Sequence, residues 1–445
     1  MDDSRPQLSE GMRGGDSQYG FVGESAERND RAQEWELHDS KDSTYPYLAH
    51  IKALSSTWRT LQHLADWMQV GTSPSRWTNE YKKDSEERAR RRAKTNLALV
   101  EYAGEATPNV THISDAGTLK EVLSSFHAVP SETKPLRLFV VEDLSQEVIE
   151  QLGSRFDIDP LFFREQIEDY VWHNLGAVSA TPAPLLVDMK NRSWFRVRNF
   201  RLRHHEEESS FRAARGETRA WNVSRRLDDD MNHWAWAGED TAIVSMLRTR
   251  TTIWVGADGR CGDAPVGVIL LDPTVRNGKP LWYDRANWLP VPSMASTSSP
   301  HPPTSSSWYT TILTLTRLYP WFESPSPTPL SPHVIAKPAL YTIAAEWLLV
   351  ADYVKGRLSQ IERELELPHI FRTRSDTIDA SLARLHTWRR ALPTFIEMLQ
   401  ETLEFSLPAA SRLTHPLQRS GTGGAGLPAL PRNIHFADGP RGSSF

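Results

Sequence analysis

The chain has 445 residues, 39% of them hydrophobic, with a formal net charge of −5 at pH 7 and a mean hydropathy of −0.50. That length can hold two or three domains and a core that needs no covalent staples; a charge so small gives no reason to expect a nucleic-acid partner. Cys261 is the only cysteine, which excludes an intramolecular disulfide and fits a reducing compartment. No run approaches the roughly 18 apolar residues of a bilayer span, and the polar start lacks the apolar stretch of a secretion signal.

Composition divides the chain into a disordered N-terminal tail (1–44), an α/β domain (45–287), a Pro/Ser-rich linker or loop (288–338), long amphipathic helices (339–405) and a low-complexity C-terminal tail (406–445). From Leu48 to Val70 the apolar positions Leu48, Ile51, Leu54, Trp58, Leu61, Leu64 and Met68 predict a helical face closed by Gly71. The basic run Lys82 to Lys94, with Glu86 and Glu87 interleaved, reads as a solvated helix face rather than a phosphate-binding or nuclear-localisation segment.

Leu138 to Val141 is a buried-strand pattern. Ser145 is placed to cap a helix that ends at Gly153, and Asp159-Pro160 opens a second short helix through Ile167. From Trp194 the residues alternate, Trp194, Arg196, Arg198 and Phe200 against Phe195, Val197 and Asn199. Ile243 to Leu247, Thr252 to Val255 and Val266 to Leu271 are further strands, with a turn at Ala257-Asp258-Gly259. The expected fold class is therefore α+β or mixed α/β.

Within the Pro-rich stretch, the segment around Trp308 docks as a helical turn or strand. Ala339 to Leu367 then carries Leu340, Ile343, Trp347, Val350, Val354, Leu358, Ile361 and Leu365 three or four residues apart. That is one stripe of a long, nearly straight helix, which fits either a core helix or an oligomerisation stalk. A second amphipathic helix follows, with Ile378, Leu382, Leu385, Leu392, Phe395 and Leu399 as its stripe and Pro393 as a kink.

Chemistry-bearing motifs are sparse. There is no Gly-x-Gly-x-x-Gly after a strand, no phosphate-binding loop and no nucleophile elbow, so no enzyme is expected. Asp228, Asp229 and Asp230 carry hard oxygen ligands of the kind Mg²⁺ prefers, though without the spacing of a calcium loop they fit a turn or helix start better. His204, His205, Glu206, Glu207 and Glu208 could ligate a transition metal, but adjacent residues rarely converge on one ion, and a solvated loop is favoured. The sequons at Asn109, Asn191 and Asn222 matter only on a secretory route.

Two blocks carry a family resemblance. LFVVEDLSQEVIEQLGSRFDIDPLFFREQIEDY, with Phe156, Ile158, Pro160 and Leu161 followed by Glu165, Glu168 and Asp169, resembles the N-terminal domain of the CorA-like magnesium transporters, especially the fungal branch. AEWLLVADYVKGRLSQIERELE with LARLHTWRRALPTFIEMLQETL is similar to the long helices that lead into that family's stalk. The resemblance implies a cytosolic α/β/α domain at 45–287, stalk-type helices, Mg²⁺ as transported or regulatory ion, and a homo-oligomer, a pentamer in the family, gathered through helix 339–367. A full-length membrane paralogue is a possible partner. The family's Gly-Met-Asn pore motif and its two membrane helices are absent, since Gly11-Met12 is followed by Arg13 and Met231-Asn232 is preceded by Asp230. The resemblance therefore implies membrane association for the family and a cytoplasmic, non-transporting product for this sequence.

Overall fold

The computed structural model describes residues 45–73, 83–102, 108–126, 135–167, 192–231, 242–259, 264–281, 307–317, 333–367 and 374–414, with Tyr81, Asp188, Met189 and Met294. The tail expected at 1–44, Cys261 and most of the 406–445 tail lie outside the described residues. In chain order come α1 (Pro46–Ser55), a 3-10 turn (Arg59–Leu61), α2 (Gln62–Val70), α3 (Ser85–Ala93), β1 (Leu97–Tyr102), β2 (Asn109–Ile113) and α4 (Ala116–Ser125). Next are β3 (Leu136–Glu142), α5 (Gln146–Phe156), α6 (Pro160–Ile167), β4 (Trp194–His205), α7 (Glu208–Ala220), β5 (Leu227–Met231), β6 (Ile243–Asp258), β7 (Ala264–Leu271) and β8 (Lys279–Pro280). The helices α8 (Trp308–Arg317), α9 (His333–Glu366) and α10 (Arg374–Glu401), a π turn (Thr402–Ser406) and α11 (Leu407–Thr414) complete it.

The strands form one eight-stranded mixed sheet in the order β2-β1-β3-β7-β6-β4-β8, with β5 also on β6. β3 and β7 run parallel at its centre; the other ladders are antiparallel. Because a strand alternates its faces, Leu97, Leu99, Phe139, Val141, Val266 and Val268 pack against α1, α2, α5 and α6. Ala98, Val100, Leu138, Val140 and Ile269 face α8, α9 and α10 on the other side. Helices thus cover both faces of the sheet.

Local chemistry sets the helix ends. Ser145 Oγ accepts from Val148 N, as expected, at 3.4 Å, and Asp159 Oδ1 accepts from Leu161 N at 2.9 Å. The N-terminus of α1 has no side-chain cap of its own. Its free amides are satisfied across the fold by the Glu150 carboxylate, which accepts from Tyr47 N at 2.7 Å and Leu48 N at 2.9 Å.

Several expectations change. The face predicted from Leu48 to Val70 is broken by the 3-10 turn, which lets Ile51 of α1 and Leu64 of α2 enter one core; Gly71, at φ +80°, ends α2 as expected. The helix after Ser145 does not stop at Gly153 but runs to Phe156 and ends on Asp157 at φ +51°. Gly153 is instead a contact point, since a Cβ there would lie 2.4 Å from the Tyr47 ring. The two strands expected at Ile243–Leu247 and Thr252–Val255 are one 16-residue strand, β6, and Ala257 and Asp258 belong to it rather than to a turn. β4 lines one side of β6, while β5 and β7 share the other end to end.

The stretch 288–338 includes α8 and the start of α9, which begins at His333 with Pro338 inside it. α10 runs on through Pro393, and Leu407–Thr414, expected to be low-complexity tail, is helical. The stripe of α9 lies within the chain's own core: Ile343, Trp347, Val350, Val354 and Ile361 are buried there with Phe200, Trp388 and Phe395. The face of α10 is rotated from the predicted stripe. Trp388, Phe395 and Met398 point inward, because these bulky side chains fill the space between α9 and the sheet, while Leu382, Leu385 and Leu399 are exposed. The Ile378 side chain lies outside the described residues.

The approach of α9 to the sheet yields a test. A Cβ at Gly267 in β7 would sit 2.6 Å from Ile335 Cγ2, so Gly267→Val should destabilise the fold by about 1–3 kcal/mol through overpacking. Gly216→Ala in α7, where an added Cβ meets nothing within 4 Å, should stabilise it by about 0.5–1 kcal/mol. Urea unfolding of the two variants checks both signs.

Candidate functional site: buried charge networks and an arginine-rimmed cavity

Charged side chains from distant parts of the chain converge inside the fold. The Asp272 carboxylate, just past β7, accepts from Arg225 Nε at 2.7 Å and Nη2 at 2.9 Å, from Gln166 Nε2 at 3.0 Å and from Arg250 N at 2.8 Å. Gln166 Oε1 accepts from Thr252 Oγ1 at 2.7 Å, and Arg225 Nη2 reaches the Gln166 carbonyl at 2.6 Å. Both ions of the pair are buried, so they hold only because each is multiply hydrogen-bonded. At the far end of β6, Asp258 pairs with Arg155 at 2.7 Å. Beside β3, Asp143, at φ +60°, accepts from Asn222 N at 2.9 Å and pairs with Lys94.

The expected site residues are dispersed. Asp228 lies in β5, not in a turn or helix start; Arg226 Nε donates to its Oδ1, and Arg248 Nε donates to its Oδ2 at 2.8 Å. Asp229 and Asp230 continue that strand opposite Ser245 and Val244; their side chains lie outside the described residues. His204 and His205 end β4 rather than lying in a loop. His205 is buried between Ser210 Oγ (3.1 Å from Nδ1) and Ser245 Oγ (2.9 Å from Nε2). Glu206 pairs with Lys279, and Glu208 with Arg212 at 2.8 Å. Among the described residues, no group of three or more His, Cys, Asp or Glu could hold a metal ion. The sequon asparagine Asn222 is buried, its side chain donating to Arg91 O and Leu144 O.

A feature with chemical potential lies at an edge of the sheet. β8 covers only Arg203 and His204 of β4, which leaves the Trp194 end as an edge that a protein must protect. Here the π turn and α11 lie over it. Ser406 Oγ donates to Arg196 O, Arg412 Nη2 donates to Arg192 O at 2.8 Å, and Arg196 Nε binds Glu401 Oε1 at 2.7 Å. Burial pushes the Glu401 carboxyl up, but the guanidinium groups of Arg196 and Arg198 outweigh it and bring it below the ordinary carboxylate range.

Among the described residues the cover is incomplete. A cavity of about 390 Å³ remains, with Met189, Trp194, Phe195, Phe405, Pro408 and Ala409 as its apolar wall and Glu165, Arg192, Arg196, Glu404, Ser406 and Arg412 as its polar groups. Arg192 is paired with Glu165 and lies 5.1 Å over the Trp194 ring. Of these residues the alternation at Trp194, Phe195 and Arg196 is visible in sequence, and Glu165 appears in the first resembling block without a partner. The rest meet through tertiary contacts spanning more than half the chain.

No protein-family model, curated protein or solved structure matches the chain.

The buried node and the buried histidine each predict a measurable response. Asp272→Ala strands Arg225 without its anion and should cost about 3–5 kcal/mol. Glu208→Ala, which removes an exposed pair, should stay within about 0.5 kcal/mol; chemical denaturation separates them. For His205, burial first and the nearby Arg203 and His204 charges next lower the pKa from 6.5 to about 4. Between those values the unfolded chain binds the extra proton, so stability falls as pH drops from 6.5 toward 4. His205→Gln should flatten that part of the melting-temperature profile relative to wild type.

Proposed function

We propose that this chain is the cytosolic portion of a CorA-like divalent metal-ion (Mg²⁺) transport protein, not itself a transporter. The observation that carries the reading is the arrangement of the two resembling blocks. The first supplies β3, the capped helix α5, the left-handed turn at Asp157 and α6 at the centre of a sheet flanked by helices. The second supplies α9 and α10, the long helices on the opposite face. Mg²⁺ is the proposed transported or regulatory ion, and its ligands are unassigned.

Assembly through α9 is part of the same proposal, in a modified form. With its apolar stripe turned to the sheet, α9 offers a second copy chiefly Leu348; α10 adds Ile396 and Leu399, and the π turn adds Leu403, all exposed. A second reading is a binding or regulatory module that oligomerises on the same fold. It draws on the finding that, among the described residues, no helix is long and apolar enough to cross a membrane.

Sedimentation of the purified chain with and without millimolar Mg²⁺ tests the assembly. The expected result is an oligomer sensitive to the ion that Ile396→Asp with Leu403→Asp dissociates without loss of helical signal; a strict monomer indifferent to Mg²⁺ rejects it. Coding DNA downstream of residue 445 separates the two readings. Two apolar stretches of about 20 residues with a Gly-Met-Asn motif favour the transport protein, and transcripts lacking them favour the module.

A further inference from the structure

The cavity at the β4 edge has the composition of a ligand site. Pockets for small organic molecules run about 300–1,000 Å³ and are mostly apolar with a few placed polar groups; this one is about 390 Å³. Its wall is aromatic and aliphatic, and its charges are unequally satisfied. Arg192 is neutralised by Glu165 and Arg196 by Glu401. Arg412, half-buried in α11, donates to the backbone carbonyl of Arg192 and makes no ion pair among the described residues. A guanidinium with free donors beside an apolar wall is the arrangement that captures a carboxylate, by charge-assisted hydrogen bonds of fixed fork geometry.

Two further observations bear on the ligand. Glu404 also lines the cavity, from an exposed position two turns before Arg412, so it opposes a second negative charge on anything bound. The lining residues Glu404, Phe405 and Ser406 belong to a π turn, an irregularity found mostly as single turns and frequently at functional sites. We propose that this cavity binds a monocarboxylic acid with an apolar body, its carboxylate on Arg412 and its body against Trp194, Phe195 and Phe405. Burial draws the Arg412 pKa below its ordinary value, the direction that desolvation of a cation gives.

The ligand can be an aliphatic or an aromatic acid, and calorimetric titration of the full chain at pH 7 distinguishes them. The probes are decanoate, 2-naphthoate, the neutral decanol and the dianion decanedioate. Saturable one-to-one binding of decanoate or of 2-naphthoate is expected, the tighter of the two giving the ligand's class. Decanol and decanedioate should bind at least about tenfold more weakly than decanoate, the size of a lost charged hydrogen bond. Arg412→Gln should lose about tenfold or more, Arg412→Lys, which keeps the charge but not the fork, should fall between wild type and Arg412→Gln, and Ala409→Phe should abolish binding by filling the space, all with unchanged melting profiles. The proposal is overturned if neither acid binds saturably, if decanol binds as well as the acids, or if Arg412→Gln binds as wild type does. Because Arg412 is only half-buried, its variants test the site even where the filled variant fails to fold.

Discussion

The fold depends on how the Asp272 carboxylate is satisfied. It sits where β7 ends, and its four donors come from the segment before β5, from β6 and from α6. Such a pair contributes little net stability compared with apolar packing of the same volume, yet it strongly disfavours any arrangement in which one partner is missing. The result is specificity of position. α6 lies on the Thr252 region of β6 because Gln166 bridges Asp272 and Thr252, and the chain enters β5 at a fixed place because Arg225 is held there. The ladder on that side of β6 can then be completed by two separate strands, β5 and β7, in one register.

That register explains why β6 can be 16 residues long with Arg248, Thr249 and Arg250 in its middle. A polar run inside a central strand is costly unless its residues find partners, and each residue of this one has at least one, although Arg250 Nε is buried without a hydrogen bond. Arg248 has Asp228, Thr249 Oγ1 has Asn199 Oδ1 at 3.0 Å, and Arg250 donates to the Glu165 carbonyl. Asp228 of β5 thus serves as counter-charge for Arg226 and Arg248. This use of Asp228 competes directly with metal ligation, because both of its carboxylate oxygens are already engaged.

What the sequence reveals follows the range of the interactions. The caps at Ser145 and Asp159 act within three residues, and the strand at Leu138 to Val141 is a local apolar run; both are legible. Gly153 misleads because glycine suits both a helix end and a close contact, and only the Tyr47 ring, far away in sequence, decides between them. The division of β6 has the same origin, since Arg248 to Arg250 read as a break until their distant partners are known. On α10 the stripe contained Phe395 but not Trp388 or Met398. Periodicity locates an apolar face only within a turn or so when the helix is apolar on two sides, as the exposed Leu382, Ile396 and Leu399 make this one. The cavity was illegible because its wall joins Trp194 to Phe405 and Arg412, with no local signal linking them.

The stripe of α9 and the cavity meet at β4, and together they constrain what the helical layer can do. Trp347 and Phe395 pack on Phe200 with ring centroids 6.0 and 4.4 Å away, so α9 and α10 are fastened to the sheet and cannot turn their buried faces to a neighbour without opening the core. The π turn then carries the chain off α10 and over the bare end of β4, where Ser406 and Arg412 satisfy two edge carbonyls. The cover leaves a cavity and, among the described residues, an Arg412 guanidinium without an ion pair, features that cost stability. Features that break local rules without a structural gain concentrate at functional positions. By that criterion the β4 edge, rather than the acidic run of β5, is where a ligand has the most to offer this fold: an anion for Arg412 and apolar atoms for a wall that otherwise faces a void.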